Sequence, residues 1–268
     1  MTKYTIERVA LPDEPDSVFL TRYIPGGGQA ICPPVVICPG GGYFTIGTSE
    51  GDPVARRFLA AGYAPFILNY SILKDARFDR NAHPPIKAVS DLAKAFSVIR
   101  SHSQAWHLDK DRLILAGFSA GGHVAATYLG EATGAMPGLI LPKAVLLSYP
   151  LISQNKLNKE QYSGRAPDPD DVRSLIYYYM FGEEGPSAED EAAFDAANRV
   201  APGWPDTFLY HSIPDEMVPY ESSVRLDRIF TDNGIPHKFY TAEMGVHAHP
   251  FEYDIWWEPF LEWLSETI

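Results

Sequence analysis

Gly117-Phe118-Ser119-Ala120-Gly121 sets a serine between two glycines at the spacing of a nucleophile elbow, G-x-S-x-G. A serine hydroxyl is a weak nucleophile on its own and needs a base, an exposed position and donors for the charge it creates. Small residues on either side let the backbone turn sharply enough to present the hydroxyl. The preceding run, Arg112 to Phe118, reads as a strand buried on both faces, and Ala120 to Glu131 reads as a helix. Ser119 therefore falls on a strand-to-helix turn, where free N–H groups and the helix dipole favour negative charge on a substrate oxygen. The plainer alternative is a glycine turn whose serine only caps the helix.

A second glycine cluster, Pro39-Gly40-Gly41-Gly42-Tyr43, comes after the apolar run Val35 to Cys38. Successive glycines allow a close backbone approach, so the N–H groups of Gly41 and Gly42, joined by that of Ala120, can point at an oxyanion. A phosphate loop would need a Lys-Ser/Thr directly after it, which is missing; a flexible turn is the other alternative.

An acid and a histidine should come after the serine, each in a loop at the carboxyl end of a strand. Asp206 reads as preceding its strand, and Asp227 and Asp232 lie on a helix, whereas Asp215 lies just past the strand Thr207 to His211. Among histidines after Asp215, His237 begins a strand and so points to the wrong edge. His247 and His249 lie between the last strand and the last helix. His247 is chosen because Gly245 gives its loop backbone freedom and Pro250 constrains the chain after His249. The His-x-His pair has no third ligand nearby, so no metal and no cofactor is expected. His123, on the nucleophile helix, reads as a packing residue.

These groups need a scaffold that collects strand ends. Strands are predicted at Tyr4 to Ala10, Val18 to Tyr23, Val35 to Cys38, Tyr63 to Tyr70, Arg112 to Phe118, Ala144 to Ser148, Thr207 to His211 and Lys238 to Thr241. Helices are predicted at Asp52 to Ala61, from Pro84-Pro85 to Ser101, at Ala120 to Glu131, Glu221 to Asp232 and Ile255 to Thr267. The first two strands read as a hairpin. The strand-helix alternation beyond it implies a mostly parallel sheet with helices on both faces, in one α/β domain over residues 1–268. Leu151 to Pro205 breaks the pattern, with helical pieces at Asp170 to Met180 and Glu189 to Asn198, and reads as a cap inserted over the carboxyl ends of the strands.

With 34 acidic against 22 basic residues, the net charge is -12, which opposes binding to nucleic acid or anionic lipid. No apolar stretch has the length a membrane span needs, and the first ten residues lack an export pattern, so a cytoplasmic protein is expected. Cys32 and Cys38 lie on an extended segment roughly 20 Å apart, too far to bridge, and are expected as free thiols. The oligomeric state is left open, a homodimer being compatible.

In Cys38-Pro39-Gly40-Gly41-Gly42-Tyr43, Glu50-Gly51 with Val54-Ala55, Phe58 to Tyr63, Ala116 to His123, and Asp215 with Val218-Pro219, the chain resembles the α/β-hydrolase superfamily. Within it, the chain is similar to small carboxylesterases of the acetyl xylan esterase and hormone-sensitive-lipase kinds. The resemblance implies an α/β-hydrolase fold and a triad of Ser119, Asp215 and His247. In relatives a glycine is often found after the triad histidine, where this chain has Ala248. The implied activity is hydrolysis of small, short-chain acyl esters, including acetylated sugars, through an acyl-enzyme on Ser119. An amidase or formamidase would use the same triad, and a non-catalytic binding protein on this fold is the alternative of another class. Tyr43, Phe44, Phe118 and Tyr149 flank these elements and are expected to line the substrate pocket.

Overall fold

The computed structural model describes residues 4–26, 30–73, 84–134, 136, 138–153, 160–168, 170–182 and 184–268. Eight strands form one sheet among the described residues: β1 (Tyr4–Ala10), β2 (Phe19–Pro25), β3 (Pro34–Cys38), β4 (Ala64–Asn69), β5 (Ile114–Phe118), β6 (Ala144–Ser148), β7 (Asp206–Ser212) and β8 (His237–Ala242). Their order is β1-β2-β4-β3-β5-β6-β7-β8. β1 and β2 form the antiparallel hairpin, β2 joins β4 antiparallel, and every pair from β4 to β8 is parallel.

The central strands β3, β4, β5 and β6 are short and apolar because they are covered on both sides, and their side chains alternate between two cores, whereas the edge strand β8 is only partly covered. Val36, Leu115, Val145, Leu147 and Leu209 face one core, with α2 (Pro84–Ser101), α3 (Ser119–Thr133) and α6 (Glu221–Asp232). Val35, Ile37, Ile114, Ala116 and Leu146 face the other, with α1 (Asp52–Ala60) and α7 (Trp257–Thr267). Phe58 of α1 meets Trp257 and Phe260 of α7 edge-on at 5.0 and 5.8 Å, so burial of these rings ties the two helices together.

Two boundaries differ from expectation in ways that matter for the site. Lys110–Arg112 is a 3₁₀ turn capped by the Asp109 carboxylate, so β5 begins only at Ile114. Asp206 does not precede β7 but opens it, paired with Ala144 at the amino-terminal edge of the sheet.

The insertion between β6 and β7 contains α4 (Val172–Phe181), α5 (Ala188–Phe194) and a 3₁₀ turn, Ala196–Arg199. Residues 154–159, 169 and 183 of the expected cap, and the side chain of Tyr179, lie outside the described residues. Ser187 and Asp190 form a reciprocal capping box that starts α5. Tyr177, Met180, Phe181 and Phe194 join the same core as α2 and α3, so the insertion packs down onto the sheet's helical layer.

Candidate active site

β3, β5, β7 and β8 are parallel neighbours or near-neighbours, so their carboxyl ends open on one edge of the sheet. The turn after β5 holds Ser119 at φ 49°, a left-handed conformation that costs a non-glycine residue energy and is stored where function requires it. The turn is crowded enough to demand its glycines. A Cβ at Gly117 would lie 2.7 Å from the Gly121 carbonyl oxygen, and one at Gly121 would strike the Cys38 and Pro39 carbonyls. The nucleophile helix is thus pressed against the end of β3 and the glycine run beyond it.

Ser119 Oγ lies 2.8 Å from His247 Nε2, and His247 Nδ1 lies 2.7 Å from Asp215 Oδ2. A proton on Nδ1, donated to the carboxylate, leaves Nε2 free to accept the serine proton. Asp215 is itself fixed by its loop: Oδ1 accepts from the N–H groups of Met217 and Val218, both at 2.9 Å. Burial would push its carboxyl up, but hydrogen bonds from His211 and His247, the His247 charge and the Val218 N–H prevail and hold it well below the ordinary carboxylate range.

His211 went unnoticed in the sequence because it reads as an ordinary strand residue. It is fully buried, with Nε2 3.0 Å from the Val218 carbonyl and 3.3 Å from Asp215 Oδ2, and Nδ1 2.7 Å from Ser223 Oγ. It braces the acid from behind.

The loop carrying His247 is also shaped by its backbone. Gly245 has φ 126°, and a Cβ there would meet Ser212 at the end of β7. Ala248 sits at φ 63°, the conformation glycine adopts more cheaply, and its carbonyl accepts from Ser49 Oγ at 2.7 Å. His249 is exposed. His237 instead pairs with Asp227 at 3.0 Å at the start of β8.

In the glycine run, Gly41 (φ 115°) and Gly42 (φ 62°) adopt left-handed backbone, and the Gly41 carbonyl accepts from Phe44 and Thr45 N–H to close the turn. The N–H groups of Gly41 and Gly42 have no acceptor among the described residues. Ala120 N–H, in the first turn of α3, is likewise outside the helical ladder. Gly40 N–H is engaged: it donates to Glu50 Oε2 at 2.7 Å.

The expected pocket aromatics require a correction. Tyr43 and Phe118 have no exposed surface and belong to opposite cores, because one side chain turns below the sheet and the other above it. Tyr43 donates its hydroxyl to His123 Nδ1 at 2.6 Å, and His123 Nε2–H reaches the Phe194 carbonyl at 2.6 Å, so His123 is a packed histidine linking the glycine loop to the insertion. Tyr149, also buried, sets its ring edge-to-face on His247 at 4.9 Å and so supports the imidazole. Phe44 is half-buried. Ile176 of α4, which no local pattern marks, also reaches the site: a Cβ at Gly42 would collide with it. A cavity of about 550 Å³ lies between α2, α3 and the insertion, bounded by Val89, Thr127, Met180 and Phe194, and the triad is not part of its wall.

Cys32 and Cys38 are both free thiols. No metal-binding cluster occurs among the described residues, and no described helix is long and apolar enough to cross a membrane.

A family model described as alpha/beta hydrolase fold matches residues 81–217, and a second, BD-FAE, matches residues 20–135. The chain is 27% identical over 221 residues to an endo-1,4-beta-xylanase B from Butyrivibrio fibrisolvens, covering 80% of this chain and 32% of that protein. It is 28% identical over 130 residues to an acetylxylan esterase from Xylanibacter ruminicola, covering 48% of this chain and 25% of that protein. The chain thus spans between a quarter and a third of the length of these relatives. Among solved structures, a sugar hydrolase from Lactococcus lactis superposes with a TM-score of 0.76 at 25% identity, covering 98% of both chains.

Proposed function

Because the chain belongs to the α/β-hydrolase fold family, we propose that it is a serine carboxylic-ester hydrolase that forms an acyl-enzyme on Ser119. The observation that carries this reading is the unbroken relay from Ser119 Oγ to His247 Nε2 and from His247 Nδ1 to Asp215 Oδ2, at 2.8 and 2.7 Å. His247 takes the serine proton as Oγ attacks the ester carbonyl, and Asp215 holds the imidazole tautomer and balances the imidazolium. The unengaged N–H groups of Gly41, Gly42 and Ala120 are the donors for the carbonyl oxygen as it becomes an oxyanion. His247 then returns the proton to the leaving alcohol, and water, activated by the same base, hydrolyses the acyl-enzyme.

For substrates we propose short-chain acyl esters, acetylated sugars among them. Ile176 seated on Gly42 supports a narrow site beside the oxyanion loop, and a relative named for acetylxylan supports a carbohydrate alcohol. A long-chain lipase would need a broad apolar surface there instead. The test is a panel of p-nitrophenyl esters from acetate to palmitate, with acetylated xylose and formyl amides alongside. Hydrolysis of acetyl esters that vanishes in Ser119→Ala supports the reading, and turnover of amides alone would replace it with an amidase.

A further inference from the structure

Glu50 stands beside this machinery, and none of the steps above calls on it. It is 1% exposed, in the loop between the glycine run and α1. Its Oε2 accepts the Gly40 N–H at 2.7 Å, while Oε1 is buried without a well-formed hydrogen bond among the described residues, and the Tyr149 hydroxyl interacts with the carboxyl. A Cβ at Gly40 would lie 2.7 Å from both Glu50 Oε2 and Ser119 Cβ, so carboxyl and nucleophile flank a single glycine. The Gly40 carbonyl accepts from Gly47 N–H at 2.9 Å, closing the loop around the carboxyl. The titratable groups facing Glu50 are His247 and His249 from the loop after β8, Tyr149 after β6 and Tyr70 after β4. The Tyr149 hydroxyl, also buried, is the side-chain hydrogen-bonding group that faces this carboxyl.

Resting on the serine-esterase reading, we propose that Glu50 is a positioning residue that works as a neutral carboxylic acid, anchoring Gly40 and so aiming the oxyanion donors of the glycine run. Two arguments point to the uncharged form. A buried carboxylate that is held by one backbone N–H, faces only a neutral tyrosine hydroxyl and has no lysine or arginine partner among the described residues is costlier than a buried acid. A fixed anion across one glycine from Ser119 would also repel the oxyanion that the site must stabilise. Burial pushes the Glu50 carboxyl above the usual range, against the opposing pull of the Gly40 N–H, His247, the Tyr149 hydroxyl and His249. In the neutral form, the acid O–H is a donor that the facing Tyr149 hydroxyl can accept, and Oε2 remains the acceptor for Gly40.

The test combines a spectroscopic readout with two variants. Infrared difference spectra of wild type minus Glu50→Gln at pH 7 should show the C=O stretch of a protonated carboxylic acid, sensitive to D₂O. With p-nitrophenyl acetate, Glu50→Ala should lower kcat roughly 10- to 100-fold with little change in KM, because the donors lose aim. Glu50→Gln, which keeps a neutral acceptor, should restore kcat to within about threefold of wild type. Absence of the acid band, or a Gln variant as damaged as Ala, overturns the neutral-acid assignment. An Ala variant with normal kcat overturns the positioning role. If Glu50→Ala does not fold, the infrared band and the Gln variant still decide. An inactive wild type would instead strike at the esterase reading, leaving the infrared result to stand alone.

Discussion

Asp215→Asn probes the relay at the point where the hydrogen bonds leave one arrangement open. Asp215 Oδ1 accepts two backbone N–H groups, from Met217 and Val218, so an asparagine would keep its carbonyl oxygen there. Turning the amide over would set its NH₂ against both donors. The NH₂ must then occupy the Oδ2 position, 2.7 Å from His247 Nδ1, where it can only donate. That forces the imidazole proton onto Nε2, facing Ser119, and the base can no longer accept the serine proton. Wrong-tautomer defects of this kind cost about 10² to 10⁴ in kcat, equivalent to roughly 2.7 to 5.4 kcal/mol of barrier at 1.36 kcal/mol per decade. KM should change little, since the carboxyl touches no substrate. Steady-state hydrolysis of p-nitrophenyl acetate measures both. A variant within threefold of wild-type kcat would refute the argument, as would an equal loss in Asp206→Asn, whose side chain lies at the opposite edge of the sheet.

His247→Ala should abolish turnover as fully as Ser119→Ala, whereas His249→Ala, at an exposed position, should cost less than about tenfold; the reverse order in kcat would make His249 the base. Gly121→Ala drives a methyl into the Cys38 and Pro39 carbonyls and should destabilise by about 1–3 kcal/mol in urea unfolding, with activity falling too; an unchanged midpoint would mean that the elbow has slack. The two carboxyls should show opposite pH linkage. The folded-state value of Asp215 is lowered, so its contribution is present above about pH 3.9 and lost as pH falls through that lowered value. The Glu50 value is raised, so its contribution is full below about pH 4.3 and lost as pH rises through the raised value. The Tm of Glu50→Gln relative to wild type should therefore increase as pH is raised from 4, and a constant difference would contradict the linkage.

The elements that collect strand ends were readable from sequence because their signals are local. Continuous apolar runs such as Val35 to Cys38 and Ala144 to Ser148 mark strands covered on both faces, and Gly117 and Gly121 mark a turn that tolerates no Cβ. Loop position after a strand points to Asp215 and to the pair His247 and His249, and Gly245 with Pro250 favours His247; the fold sets His247 between Asp215 and Ser119. Side-chain direction was not legible. Tyr43 and Phe118 flank the site in sequence yet point into opposite cores, because facing is set by the turn's dihedrals, Tyr43 itself lying at φ 61°. His211 was hidden, since its contacts with Asp215, Val218 and Ser223 cross loops that no local pattern encodes, and Glu50, though part of the family resemblance, gave no sign of its contact with Gly40. Ile176 reaches Gly42 only through the packing of an inserted helix.

Covalent trapping is the most direct test of whether Ser119 is the residue that becomes acylated. The protein incubated with a fluorophosphonate should gain the mass of one phosphonyl group, located by peptide mapping to the segment containing Ser119, with ester hydrolysis lost in proportion. Ser119→Ala should gain no mass and hydrolyse no ester. No adduct on active wild-type protein, an adduct on another residue, or hydrolysis persisting in Ser119→Ala would contradict the acyl-enzyme account.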